Sequence, residues 1–263
     1  NAQERSYTAH GEDGLLAHFC KDFAENIGIA VCGEFEEGDN FSYDYYYPYL
    51  RGTGISSQED VTVERHAANE SYAGICDELR LGVTLIFYLQ NVADFLAEHR
   101  KNIHTKTLRG AFLSALSVDG KILLPLDQKQ FAKKTANKKS KERNQLIAEA
   151  REGNEEAMES LTLDDMDIYA VLSERILNED IYSIVFTSFM PYGIEGDQYS
   201  ILGEILELYE NENKLTGEKM YCLKLNCNDL IFNLTINQKD LVGEPAVGRR
   251  FKGSIWMQGT VCL

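Results

Sequence analysis

The sequence predicts an α+β fold: an antiparallel sheet with packed helices, a helical connector and a small C-terminal β-barrel comparable in shape to the OB-fold. Three observations carry this reading. Strand-like runs rich in aromatic and β-branched residues follow one another at hairpin spacing through residues 27–127. Residues 129–161 then lose almost all aromatic residues and are rich in helix formers. Residues 199–263 return to short apolar runs bounded by turn residues. The expected units are an antiparallel-sheet domain over 1–127, a helical connector over 128–180 and a small barrel over 181–263.

Taken in order, "EDGLLAHFCKDFAENIG" places Leu15, Leu16, Phe19 and Phe23 at helical spacing, with Gly28 as a stop, so a helix is expected there. "GIAVCGEFEEGDNFSYDYYYPYL" reads as two strands joined at Glu37–Asn40. "DVTVERH", "SYAGICDE" and "GVTLIFYLQ" are three more, the last leading into a helix at "NVADFLAEHR". "GAFLSALSVDGKILLPL" has Asp-Gly between apolar runs, a hairpin signal. Between Leu163 and Asn178 the apolar positions keep a helical rhythm. "YSILGEILELYEN", "KMYCLKLNCN", "DLIFNLTINQ" and "RRFKGSIWMQGTVCL" supply the strands of the barrel.

The 263 residues carry a net charge of −16, unevenly spread: −10 over residues 1–128, −5 over 129–198 and −1 over 199–263. A field of that sign repels phosphate backbones, so nucleic-acid binding by the chain as a whole is not expected. The six cysteines lie in or beside apolar stretches with no Cys-x-x-Cys pair, the usage of reduced cytoplasmic thiols. No run approaches the length of a membrane helix and no secretory leader is recognisable, so a cytoplasmic protein without membrane contact is expected. Asn1, not Met, stands first, and further N-terminal sequence is expected before it.

The most conspicuous stretch is "FSYDYYYPYLRGTG", with five tyrosines in the seven positions from Tyr43 to Tyr49. Strand alternation puts Tyr43, Tyr45, Tyr47 and Tyr49 on one face. That face is expected to pack under the helix at residues 12–28. The alternative is an aromatic-lined ligand cleft with Arg51 as an anion contact. "RGTG" lacks the spacing of a phosphate-binding loop and reads as a turn.

Reactive side chains are densest in "ERHAANESYAGICDE", where Glu64, His66, Cys76 and Asp77 could serve acid/base or nucleophilic chemistry if a hairpin brought them together. No metal-ligand spacing occurs, and no cofactor motif. The lysine-rich run from Lys129 to Arg143 lacks interleaved aromatics and reads as a solvated helix or linker. Arg249, Arg250 and Lys252, beside Phe251 and Trp256, form the best local case for a polyanion contact on the barrel.

The segments "GEFEEGDNFSYDYYYPYLRGTG", "VERHAANESYAGICDELRLGVTLIFYLQN", "EDIYSIVFTSFMPYGIEGDQYSILGEI" and "GEPAVGRRFKGSIWMQG" resemble a family of uncharacterised proteins of clostridial, anaerobic Gram-positive bacteria that is catalogued as a domain of unknown function. The resemblance covers nearly the whole chain. It implies a bacterial cytoplasmic protein, and a family start, an apolar N-terminal segment, that would precede Asn1. It brings no activity, cofactor or site residue. The residues themselves favour a non-enzymatic binding or scaffolding protein with a protein or small-molecule partner. An enzyme of hydrolase or transferase type using Glu64, His66, Cys76 and Asp77 is one alternative, and a polyanion module using Arg249, Arg250 and Lys252 is the other.

Overall fold

The computed structural model describes residues 2–10, 14–36, 40–65, 71–101, 108–125, 145–147, 149–150, 153–161 and 185–263. Strands dominate them. β1 (Glu4–His10), β2 (Gly14–Ala24), β3 (Ile27–Glu36) and β4 (Asn40–Leu50) form a four-stranded antiparallel meander. The second sheet begins with β5 (Ser57–Arg65), β6 (Tyr72–Glu78) and β7 (Val83–Leu89), followed by helix α1 (Val92–Lys101) and the 16-residue β8 (Leu108–Leu123). It continues with β9 (Ser188–Pro191), β10 (Gln198–Glu212), β11 (Lys219–Cys227), β12 (Leu230–Asn237), β13 (Leu241–Val242) and β14 (Arg250–Val261).

β8 and β14 run antiparallel through twelve paired residues, from Arg250↔Leu123 to Val261↔Ala111. Each strand has one edge left, and each edge is shared by two sets of neighbours. Toward one end of the ribbon β8 pairs with β12 and β14 with β10, and the β10–β11–β12 meander closes a ring. Toward the other end β8 pairs with β5 and β14 with β7, and the β5–β6–β7 meander closes a second ring. The main core fills these rings, with Phe87, Leu113, Ile205, Phe232 and Phe251 fully buried.

The α+β expectation is therefore corrected: the described chain is mostly β, with two large sheets, the larger of them partly closed, and helices do not form its packed layer. The expected helix over residues 12–28 is strand β2. Its apolar residues serve both faces of a sheet, Leu16 and Cys20 on one and Leu15 and Phe19 on the other. Apolar positions at i, i+1 and i+4 then mimic a helical stripe. The Asp119-Gly120 hairpin is corrected as well, because β8 runs straight through it. There Val118 is the extra residue of a β-bulge opposite Ser254/Ile255 and is 81 % exposed. Gly120 lies opposite Gly253, and a Cβ on it would meet the Phe251 ring at 2.5 Å. The pair marks a bulge and a close approach, not a turn. The stretches expected to be helical at Lys129–Arg143 and Leu163–Asn178 lie outside the described residues.

Close approach also governs β6. A Cβ on Gly74 would come within 2.2 Å of the fully buried Phe87 ring, which fills the space that glycine leaves on the neighbouring strand. Gly74→Ala is expected to destabilise the fold by about 1–3 kcal/mol through overpacking. Thermal unfolding of the two proteins checks this, and an unchanged Tm would mean that Phe87 repacks freely.

Candidate functional site

The four-stranded meander lies over the β7/β14 side of the second sheet, and two faces of it matter. On the inner face, cross-strand pairing aligns His18 with Cys32 and Cys32 with Tyr45. Tyr47 follows on β4 and packs on Tyr88 of β7 at 4.7 Å between ring centroids. Tyr88 in turn meets Trp256 edge-on at 5.2 Å. The Trp256 indole donates to Asp197 at 2.7 Å. His18, Cys32, Tyr45, Tyr47 and Tyr88, with Ala93 of α1, enclose about 10 Å³, room for roughly one water.

The polar atoms of this seam are paired. Tyr47 Oη is hydrogen-bonded to His18 Nε2 at 2.9 Å, with the Gln90 carbonyl at 3.4 Å. Burial, helped by the Arg51 guanidinium, pushes the His18 imidazole down from 6.5 to about 4. Burial likewise raises the Cys20 thiol to about 11 and the Cys32 thiol to about 12, so neither is a thiolate near neutrality. Arg51 donates to Asp22 at 2.9 Å and to Glu4 at 2.7 Å, and stacks on the Tyr49 ring at 4.6 Å. Tyr49 also donates to Asp22. The guanidinium thus joins β1, β2 and β4 through the protein's own carboxylates.

The tyrosine strand does not keep one face. Cys32 is opposite Tyr45 but the next residue, Gly33, is opposite Tyr43, so Asp44 is the extra residue of a bulge. A one-residue insertion reverses the side-chain alternation beyond it. Tyr45, Tyr47 and Tyr49 therefore point inward while Tyr43 joins Tyr46 outside, their rings 6.4 Å apart. Tyr43 is 55 % and Tyr46 63 % exposed, against 6 % for Tyr47 and 3 % for Tyr49.

The outer face is the second feature. Phe19, Phe35, Phe41 and Tyr7 interlock there with centroid separations of 5.2–6.4 Å. Tyr7, Leu15 and Ile29 stand exposed around them. Antiparallel sheets commonly carry one apolar and one polar face. Here the outer face is the apolar one, while the inner face carries Glu4, His18, Asp22 and Glu34 among its aromatic residues. The only charged side chains that register places on the described outer face are Arg5, opposite Phe19, and Lys21, opposite Ile29. Asp44 lies near Cys32 and Tyr88, where its charge adds to the burial that disfavours their ionisation.

The remaining sequence-predicted residues are dispersed. Cys76 is 2 % exposed in the core and burial raises it to about 12, while Glu64 and Asp77 are exposed on the opposite face of the same hairpin. Asp77 accepts from Thr84 at 2.8 Å and borders an open cleft of about 650 Å³ beside Glu59, Asp60 and Arg109. His66 lies outside the described residues. Arg250 is buried and donates to the carbonyls of Leu124 and Val185 at 3.1 and 2.8 Å. Arg249 donates to the Glu244 carbonyl, and Lys252 lies directly opposite Lys121.

Sequence reasoning missed His18, Tyr88 and Gln90 on the inner face and Tyr7, Phe19, Phe35 and Phe41 on the outer one. Reading β2 as a helix hid them. The available signal was "SYTAH" and "GLLAHFC" taken as two extended runs with apolar residues at both parities. No group of three or more His, Cys, Asp or Glu side chains able to hold a metal occurs among the described residues. No described helix is long and apolar enough to cross a membrane.

Comparison with known proteins agrees with the resemblance seen in the sequence. A family model described as a domain of unknown function from an E. rectale gene, DUF3881, matches residues 1–259, and the chain belongs to that family. No curated protein and no solved structure matches it.

The lowered basicity of His18 sets a pH dependence. Between pH 6.5 and 4 an unfolded histidine is protonated while the native one stays neutral, so stability falls as pH drops through that window. On going from pH 7 to 4.5 the loss is about 2 kcal/mol. It should shrink in His18→Gln, which keeps a partner for Tyr47. Urea unfolding of both proteins at the two pH values measures it, and equal losses would remove His18 as the cause.

Proposed function

We propose that this member of the DUF3881 family is a non-enzymatic, cytoplasmic binding or scaffolding protein, and that the outer face of its four-stranded sheet is the surface through which it associates. One observation carries the reading: the outer face of the β1–β4 sheet is apolar, and the rest of the described chain covers only the inner one. Exposed tyrosines and phenylalanines, with charge confined to Arg5 and Lys21, have the composition of the centre of a protein interface. Aromatic anchors there contribute most of the binding energy, and charged side chains are rare.

The same geometry weighs against the alternatives. A tyrosine seam with room for about one water holds no planar or saccharide ligand. Among the described residues of that cluster, Cys76 points away from Glu64 and Asp77, so neither carboxylate stands beside the thiol. Arg250 spends its donors on carbonyls. The six cysteines are all free, which fits a reducing compartment.

Hydroxyl-radical footprinting in concentrated extract of the source cells tests the reading. Tyr43 and Tyr46 should oxidise several-fold more slowly than Tyr192, which is 53 % exposed elsewhere on the molecule. Equal rates for the three residues would leave the face bare in its own milieu and overturn the proposal.

A further inference from the structure

Resting on that reading, we infer that the outer sheet face is self-complementary and that its partner is a second copy of this chain, packed face to face about a twofold axis running along the strands. The evidence is the register. Pairing places Arg5, Phe19, Val31 and Tyr46 in one row across the outer face, and Tyr7, Ala17, Gly33 and Tyr43 in the next. Each row is centred on small or aliphatic residues or on one phenylalanine, and ends at β1 on one side and β4 on the other. A twofold parallel to the strands keeps every residue at its own height and exchanges left with right. It therefore sets β1 of one copy over β4 of the other, bringing Arg5 onto Tyr46 and Tyr7 onto Tyr43.

Both pairings are chemically favourable. A guanidinium over a tyrosine ring is a cation–π contact, and two tyrosines stack or meet edge-on. The middle of the second row, Ala17 and Gly33, is already covered by the chain's own rings, Phe41 lying over Gly33, so the facing sheets meet through their aromatic side chains. Two sheets packed this way lie about 10 Å apart with their strands aligned, face to face as in a sandwich.

Charge and size point to the same occupant. A chain of net charge −16 repels its own copies at most orientations. The described outer face instead carries only the two cations, which keeps the carboxylates away from the contact. In projection, four strands at about 4.8 Å and about eight residues at about 3.4 Å give roughly 500 Å². At roughly 1,000 Å² for the two partners together, this is the size of a weak interface, which suits a dimer that forms in the micromolar range.

Native mass spectrometry and sedimentation equilibrium of the purified protein across the micromolar range test the inference. The expected species has twice the 29.8 kDa mass of the chain. Tyr46→Asp, at an exposed position that the fold does not need, should weaken the dimer by at least about tenfold, as loss of an aromatic anchor does. Tyr192→Asp should leave it intact. Mixing Arg5→Cys with Tyr46→Cys protein in the presence of a bismaleimide spanning about 10 Å should give a covalent dimer that neither variant forms alone. A monomer throughout, a dimer indifferent to Tyr46→Asp, or a dimer that the mixed cysteine pair does not cross-link each overturns this arrangement. A monomer whose Tyr43 and Tyr46 are still protected in extract would overturn the second copy and leave the association surface standing, with a different protein as its occupant.

Discussion

Every part of this molecule is referred to the antiparallel ribbon of β8 and β14. A pair of strands has only two free edges, and here both are divided along their length between different neighbours. That division needs strands longer than the five or six residues of an ordinary sheet, and β8 and β14 run to 16 and 12. It also needs the ribbon to bend between the two rings. The bulge at Val118 and the facing glycines Gly120 and Gly253 supply the bend, since a bulge increases local twist and the glycines let the Phe251 ring lie against the strands there. The ribbon is formed by residues more than a hundred positions apart, so its pairing carries a large loop-closure cost, and the two cores that flank it must offset this together.

The meander is fixed to this frame by a buried amide cluster at one point of β4. Gln258 of β14 accepts from Leu50 N at 3.2 Å and donates to the Pro48 carbonyl at 2.8 Å. Gln90, at the end of β7, donates to Gln258 at 2.9 Å and to the Leu50 carbonyl at 3.0 Å, and Ser114 of β8 donates to the same carbonyl. These groups are buried, so each depends on the others for its hydrogen bonds, and a gap would cost the desolvation of a polar atom with no partner. The cluster orients the sheet by direction, and the rings of Tyr47, Tyr88 and Trp256 beside it add area. The inner tyrosines act as adhesive between two layers, which accounts for a seam that is aromatic, hydrogen-bonded and nearly closed.

How far the sequence foretold this depends on whether one face of a strand differs from the other. β5, β6, β7 and α1 were legible because their burial alternates or keeps a helical stripe, and β10, β11, β12 and β14 because turn residues bound them. β2 was not, because Leu15 and Leu16 serve opposite faces and erase the period of two. Asp119-Gly120 misled for another reason: the same dipeptide fits a tight hairpin and a crowded strand, and only the distant Phe251 decides between them. The tyrosine run was recognisable as a strand and as a packed surface. Its bulge was not, since nothing local marks Asp44 as unpaired and the register is set by β3. The ring closures lay beyond reading altogether, because they join residues with no sequence relation except size and shape.

A sheet whose uncovered face is apolar demands an explanation of that side, and the distribution of charge narrows it. Solubility alone favours charged residues on an exposed face, and this chain has 42 acidic residues to place. At the meander, Glu4 and Asp22 pair with Arg51, and Asp44 stands exposed at the bulge on the side of Cys32 and Tyr88. The aromatic rows are left with only Arg5 and Lys21 among their described charges. Stability does not require this, because the inner face and the amide cluster already hold the sheet in place. An apolar surface that the fold does not use, and from which the chain's abundant carboxylates are withheld, has its physical reason in contact with something outside the monomer.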